Sequence, residues 1–248
     1  MEGCEDESDY KSGGYHPVKI GELYYNRYKV QQKIGYGHFS TVWLCEDEHS
    51  GMKVALKIQK SASNYTDAAM DEIDIISKIH RNYTNPKWRH GENVHIVKIM
   101  NHFMHKGPFG CHVCIVFEML GANLAHLMNF YQYKGVPLHL CKVIIKQCLE
   151  ALDYLHRICG VIHTDIKPEN ILISLNNEQI LELQNSSNIT QWIPIVTESE
   201  LIKPVLAIDE IYTQNSKKRK KKKIFEAKKK FSRQVRRGLL QVKTVNSN

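Results

Sequence analysis

The chain has 248 residues, 42% of them hydrophobic, which is enough for one large globular domain or two small ones. Its net charge of +8 is unevenly spread: residues 217–237 hold thirteen Lys or Arg and only Glu226 as an acid, so this stretch carries +12 and the remainder −4. The N-terminus is acidic, no run of 18 apolar residues occurs and the seven cysteines form no compact framework. The expectation is a soluble intracellular chain with reduced thiols, without a signal, a membrane span or a disulfide scaffold.

Residues 1–14 are acidic and rich in Gly and Ser, a composition that predicts disorder. From Arg27 the pattern has period two, with Tyr28, Val30, Gln32 and Ile34 alternating with Lys29, Gln31 and Lys33 as in a half-exposed strand. Further strands are predicted over Thr41–Glu46, Met52–Gln59, Val94–Phe103 and Cys111–Glu118. A helix is predicted from about Thr66, with Asp67 in its first turn and Met70, Ile73 and Ile76 at helical spacing. A longer helix over roughly Leu138–Arg157 aligns Leu140, Ile144, Cys148, Ala151 and Leu155 in one stripe, with Pro137 near its start and Gly160 beyond its end. The order, strands with one helix and then mostly helix, is an α+β two-lobed plan. A β-rich lobe over 15–120 precedes a helical part over 121–175. Residues 176–248, rich in Asn, Gln, Ser and Thr and then in Lys, read as a largely disordered spacer.

Five short segments carry chemistry. Gly35-Tyr-Gly37-His-Phe-Ser40-Thr-Val42 lies between two predicted strands; glycines let backbone amides approach a polyphosphate without a Cβ in the way. A helix does not follow this loop, which argues against a dinucleotide-binding turn. In Val54-Ala55-Leu56-Lys57, strand alternation puts the small Ala55 and the cationic Lys57 on one face, suited to a flat base and its phosphates. Glu72, on the helix that follows, stands at the border of the apolar face, a better place than Asp71 or Asp74 for an acid that pairs with Lys57. Val116-Phe-Glu118-Met-Leu120-Gly is an apolar strand that stops at a glycine, where backbone groups are free to meet a base edge. Finally, Val161-Ile-His163-Thr-Asp165-Ile-Lys167-Pro-Glu-Asn170 brings together an acid for a hydroxyl proton, a lysine for phosphate charge and an amide for a metal. Cys111-His-Val-Cys114 has a zinc-like spacing, but residues three apart on a strand face opposite ways, and packing is the better reading.

In this order the segments resemble a eukaryotic protein kinase from the small lobe through the catalytic loop, and the Asp-Ile-Lys-Pro-Glu-Asn form resembles the serine/threonine branch. His-Thr-Asp at 163–165 resembles both the SR-protein kinases and the LAMMER-type kinases, while Tyr15-His-Pro-Val-Lys-Ile-Gly, Gly-His-Phe-Ser-Thr-Val-Trp-Leu-Cys at 37–45 and Val-Cys-x-Val-Phe-Glu at 113–118 resemble the first of these over about residues 14–174. Ser40 stands where the kinase pattern has a third glycine, and Thr164 where it commonly has Arg. By this resemblance, the loss of that Arg implies activity independent of activation-loop phosphorylation. The resemblance also implies ATP and Mg2+ as cofactors, with Ile34, Gly35, Gly37, Ser40, Val42, Ala55, Lys57, Glu72, Glu118 and Leu120 around the nucleotide. Asp165 and Lys167 would be catalytic and Asn170 a metal ligand. The implied substrates are Arg/Ser-rich proteins such as splicing factors, and the implied location is cytoplasmic and nuclear.

The later kinase segments, Asp-Phe/Leu-Gly and Ala-Pro-Glu, do not occur before Asn248, so an incomplete chain is expected. The helix 138–157 stripe is then expected to lack its covering helices. The alternative is a non-catalytic chain that binds nucleotide or a partner and is targeted by its basic tail. Residues 217–223 are basic without interleaved aromatics or a folded RNA module, which argues against direct nucleic-acid binding and leaves an import or chaperone partner for the spacer.

Overall fold

The computed structural model describes residues 5–88, 94–176, 178–180, 182 and the backbone of 203–206. The lysine run and the rest of Tyr212–Asn248, a separate unit, lie outside the described residues. Strands β1 (Leu23–Tyr24), β2 (Tyr28–Gly37), β3 (Ser40–Asp47), β4 (Lys53–Gln59), β5 (Ile99–Gly107) and β6 (Gly110–Glu118) form one antiparallel sheet in the order β1-β2-β3-β4-β6-β5. Helix α1 (Ser63–Arg81) crosses between β4 and β5. Then come β7 (Leu120–Asn123), α2 (Leu124–Phe130), α3 (Leu138–Asp153), a π-helical turn (Tyr154–Cys159), a 3-10 turn (Pro168–Asn170) and β8 (Ile171–Ser174). This is the protein-kinase plan of a β-rich lobe followed by helices.

Alternation in β4 sorts its residues between two layers. Val54, Leu56 and Ile58 join Tyr24, Tyr28, Val30, Trp43, Cys45, Phe103, Cys114 and Val116 in one core. On the other face, Val113 and Ile115 of β6 meet Ala69 and Ile73 of α1. Being covered on both sides, β6 has the near-continuous apolar run of a central strand. Cys114 is buried and Cys111 exposed, as opposite faces require, so of this pair only Cys114 is a core cysteine.

Several elements depart from the sequence reading. β2 alternates only as far as Val30, because irregularities between Val30 and Gln32 and between Lys33 and Gly35 leave residues 31–35 half-buried. The strand expected over 94–103 starts at Ile99: Val94, Ile96 and Val97 are buried in the core, but His95 takes a left-handed φ of 52° that ends extended pairing. α1 begins at Ser63, three residues before Thr66, because the N–H groups of Ser61 and Ala62 donate to the carbonyls of Gly14 and Gly13 (3.1 and 3.0 Å) and fix the entry. Of the expected stripe Ile73 and Ile76 are buried, but Met70 is exposed, and Ile79 extends the buried face. Residues 5–14, expected to be disordered, pack as a strap: Asp9 accepts from Lys60 Nζ (2.7 Å) and Gly13 N–H donates to Phe109 (3.2 Å).

The long helix is regular only to Asp153 and ends in the π-helical turn, capped by Gly160 at a φ of 62°, a left-handed conformation that glycine adopts without strain. Leu140, Ile144, Ala151 and Leu155 are buried, and Cys148 is half-buried. The stripe is therefore covered, contrary to expectation: Leu127 and Ile173 pack on its first half, and Ile75, Ile76, Ile79 and Val161 on its second. Exposed apolar residues of α3 (Leu138, Ile145 and Leu149) lie on a different face. Within the stretch expected to be spacer, Lys203–Leu206 form β9, which pairs antiparallel with β8 and completes a small sheet β7-β8-β9. Among the described residues no helix is long and apolar enough to cross a membrane.

Candidate active site

The β3–β4 register sets Val42 opposite Lys57 and Leu44 opposite Ala55, so all four lie on one face of the sheet. Lys57 Nζ is 3.1 and 3.2 Å from the two carboxylate oxygens of Glu72, and both side chains are buried. Helix phase explains the choice of acid: Glu72 sits next to the buried Ile73, whereas Asp71 and Asp74 are exposed. Lys57 Nζ also lies 5.9 Å above the centre of the Phe117 ring. A buried ammonium held by a bidentate carboxylate is fixed in place. Tyr154 Oη donates to the Ile79 carbonyl (2.8 Å), tying the C-terminal end of the helix that carries Glu72 to the π-helical turn.

The glycine-rich turn joins β2 to β3 through Gly37 and Ser40, which pair with each other; Ser40 is buried and Gly37 exposed. The Tyr15 hydroxyl donates to the Gly37 carbonyl (2.7 Å), so the N-terminal strap holds this loop. Lys60 reinforces the contact, its Nζ 4.1 Å above the Tyr15 ring. Ile34 and Ala55 pack with Leu44 and Met119, and Leu175 and Ile180 join the same cluster. Gly121 permits this approach, since a Cβ there would lie 2.9 Å from Leu175 Cδ2. Glu118 exchanges two hydrogen bonds with the Lys98 backbone (3.1 Å from its N–H, 2.9 Å to its carboxylate), and burial pushes its carboxyl upward. Leu120 starts β7, pairs with Ser174 and buries its side chain in the helical core.

The catalytic-loop residues converge. Asp165 Oδ2 accepts from Lys167 Nζ (2.9 Å) and from Asn170 Nδ2 (2.8 Å), and Asn170 Nδ2 also reaches the Asp165 carbonyl (3.0 Å). The hydrogen bond from Lys167, more than any other contact, lowers the Asp165 carboxyl, so it is an ionised carboxylate at neutral pH. Asn170 is buried and spends its amide nitrogen on Asp165, which leaves its oxygen for a hard cation. Thr164 is in a left-handed conformation (φ 53°) and His163 is buried beneath it, with the His163 carbonyl accepting from Asp165 N–H (2.6 Å). For a β-branched residue that conformation is strained, and such strain is held where it aims a side chain.

Most of the predicted residues thus fall into two groups, one around Lys57 and Ala55 and one around Asp165. The contributions of Tyr15, Leu44, Met119 and Leu175 were not anticipated. Tyr15 bonds a residue 22 positions away, and no local pattern announces such a contact.

The protein kinase domain model matches residues 28–185. This chain belongs to the protein kinase family. Within the family it is 47% identical over 207 residues to the serine/threonine-protein kinase SRPK of Physarum polycephalum, covering 79% of this chain and 46% of that protein. It is 47% identical over 181 residues to protein kinase dsk1 of Schizosaccharomyces pombe, covering 73% and 32%. Against human SRSF protein kinase 3 it is 44% identical over 188 residues, covering 76% and 32%. Its likeness is to the SR-protein kinases, and it spans less than half the length of these relatives.

Proposed function

We propose that this chain provides the nucleotide-binding lobe and catalytic loop of a serine/threonine protein kinase that moves the ATP γ-phosphate to serines of Arg/Ser-rich proteins. The observation that carries this reading is the Asp165 carboxylate held at once by Lys167 and Asn170. An ionised carboxylate in that position orients the substrate hydroxyl and takes its proton, a role worth about 10²–10⁴ in rate. Lys167 offsets charge on the phosphoryl group, and the Lys57–Glu72 pair presents a fixed cation to the phosphates of the nucleotide. The amide oxygen of Asn170 fits magnesium; when bound, this ion neutralises charge on the phosphates. The substrate class is inferred from the names of the relatives and from the His-Thr-Asp form of the loop.

One observation favours the alternative of a non-catalytic partner-binding chain: Leu175 and Ile180 pack against Ile34 and Ala55, the residues expected to flank the base. Both readings meet in one experiment. Magnesium and ATP are added to the chain while its melting temperature is followed, and labelling of an Arg-Ser repeat peptide is measured on a form completed with the Asp-Phe/Leu-Gly and Ala-Pro-Glu segments, as wild type and as Asp165→Asn. The kinase reading expects a nucleotide-dependent rise in Tm in both proteins and a loss of labelling of about 10²–10⁴ in the variant only. Labelling unchanged by Asp165→Asn overturns the assigned base, and a Tm indifferent to nucleotide supports the partner-binding reading.

A further inference from the structure

A cluster of histidines lies away from the nucleotide face, where the N-terminal strap meets the β5–β6 edge of the sheet. His16, on the strap, is 4% exposed, and neither of its ring nitrogens has a hydrogen-bond partner among the described residues. The His105 ring on β5 stands edge-on to it at 4.6 Å between centroids, and the His112 ring on β6 lies at 5.0 Å. His16 is pressed against Gly107, where a Cβ would come within 2.3 Å of its Nδ1. Glu22 completes the group: one ligand atom from each of His16, Glu22 and His105 lies within 4.8 Å of the other two.

This arrangement is poorly suited to plain packing. An imidazole in the core normally satisfies at least one nitrogen, as His112 does by placing Nδ1 2.8 Å from the Gln59 carbonyl. His16 satisfies neither. Two imidazoles and one carboxylate, by contrast, form a common donor set for a tetrahedral ion of borderline softness. In such a site, ligand atoms about 2.1 Å from the metal stand roughly 3.4 Å from one another. The ligand atoms here lie within 4.8 Å of one another, so closing to that spacing takes shifts of about 1.4 Å or less, and Glu22 and His105 are only half-buried. Supporting contacts are already in place, since Glu22 Oε2 accepts from the buried Tyr24 hydroxyl and from Lys19 N–H, both at 3.1 Å.

We propose that His16, Glu22 and His105 bind one divalent transition metal ion of the zinc type, with water in the fourth position. The ion staples the N-terminal strap to β5. Because the same strap carries Tyr15, whose hydroxyl holds the Gly37 carbonyl, metal binding also stiffens the glycine-rich loop. The proposal uses no residue of the nucleotide or catalytic groups, so it stands or falls separately from the kinase reading.

The test uses the full 248-residue chain after chelator treatment, with cobalt as a visible probe and zinc as competitor. The expected result is one equivalent of tetrahedral cobalt absorption that zinc displaces. Zinc at a hundred times its dissociation constant should also raise Tm by about 5 °C. His105→Ala, at a half-buried position, is expected to abolish the spectrum and the shift while the metal-free Tm stays near wild type. Glu22→Gln is expected to weaken binding at least tenfold and decides the matter if His105→Ala does not fold. His102→Ala, at an exposed neighbour on β5, leaves binding intact. Undiminished binding in both His105→Ala and Glu22→Gln, equal loss in His102→Ala, or no zinc-dependent Tm change in wild type overturns the proposal.

Discussion

The β-rich half and the helical half use apolar surface differently. In β4 and β6 every large apolar side chain is buried or half-buried, because the sheet has the strap and β1 on one side and α1 on the other. Helix α3 buries Leu140, Ile144 and Ala151 but leaves Leu138, Ile145 and Leu149 at 70%, 58% and 60% exposure on a second face. A helix that is apolar on two faces is made for burial on both. The central strands that carry Lys57 are thus covered on both faces, while the catalytic loop follows a helix covered on one side only. The lesson is that the Lys57 cation is set between the sheet and α1, and that α1 is itself held by the helical part through its core and the Tyr154–Ile79 bond.

The largest test of that contrast is Glu72→Ala, which removes the bidentate acceptor of a buried ammonium. Loss of one partner of such a pair typically costs about 3–5 kcal/mol, read from urea unfolding, and nucleotide affinity should fall with it. A change under about 1 kcal/mol would show that Lys57 is not held as a buried cation. Next is Leu56→Ala, fully buried in the sheet core, expected to cost about 2–4 kcal/mol by lost transfer energy and residual cavity.

A smaller effect separates the halves by pH. Asp47 in the sheet accepts from Arg27 at 2.7 and 2.8 Å, from the Ser50 hydroxyl at 2.6 Å and from His49 N–H at 3.1 Å. These bonds, that from Arg27 foremost, hold its carboxyl far below the ordinary carboxylate range. The unfolded carboxylate takes up a proton first on acidification. The stabilisation is therefore present above about pH 4 and is lost as pH falls through the folded value. Between pH 5 and pH 2, Tm should drop more steeply in wild type than in Asp47→Asn; parallel slopes would remove Asp47 from the account. The Asp153–Arg157 pair at the end of α3 is exposed and adds little. The smallest expected effect is Leu149→Ser on the open face of α3, within about 0.5 kcal/mol of wild type. A cost comparable to that of Leu56→Ala would mean that this face is covered in solution.

The order of the five long strands and two long helices, the faces of β4, the choice of Glu72 and the polar segment around Asp165 were legible in the sequence. Each rests on a short period or on a spacing of a few residues, which backbone geometry turns directly into a shared face or a shared turn. Other features depended on partners distant in the chain. Gly13 and Gly14 set the start of α1, a left-handed His95 moved the start of β5, and β9 arises from pairing with a strand about thirty residues earlier. The stripe on α3 was correctly read as apolar, but that α1, α2 and β8 cover it was decided by packing.

The same division holds at the site. Lys57, Asp165, Lys167 and Asn170 were singled out by residue type and spacing together with the resemblance to protein kinases. That Asp165 is gripped from two sides, that Tyr15 holds the glycine-rich loop and that His16 meets His105 are facts of tertiary structure. A sequence lists which groups a chain has to offer. Which of them come within hydrogen-bond or ligand distance is set by long-range packing, and no local period encodes that.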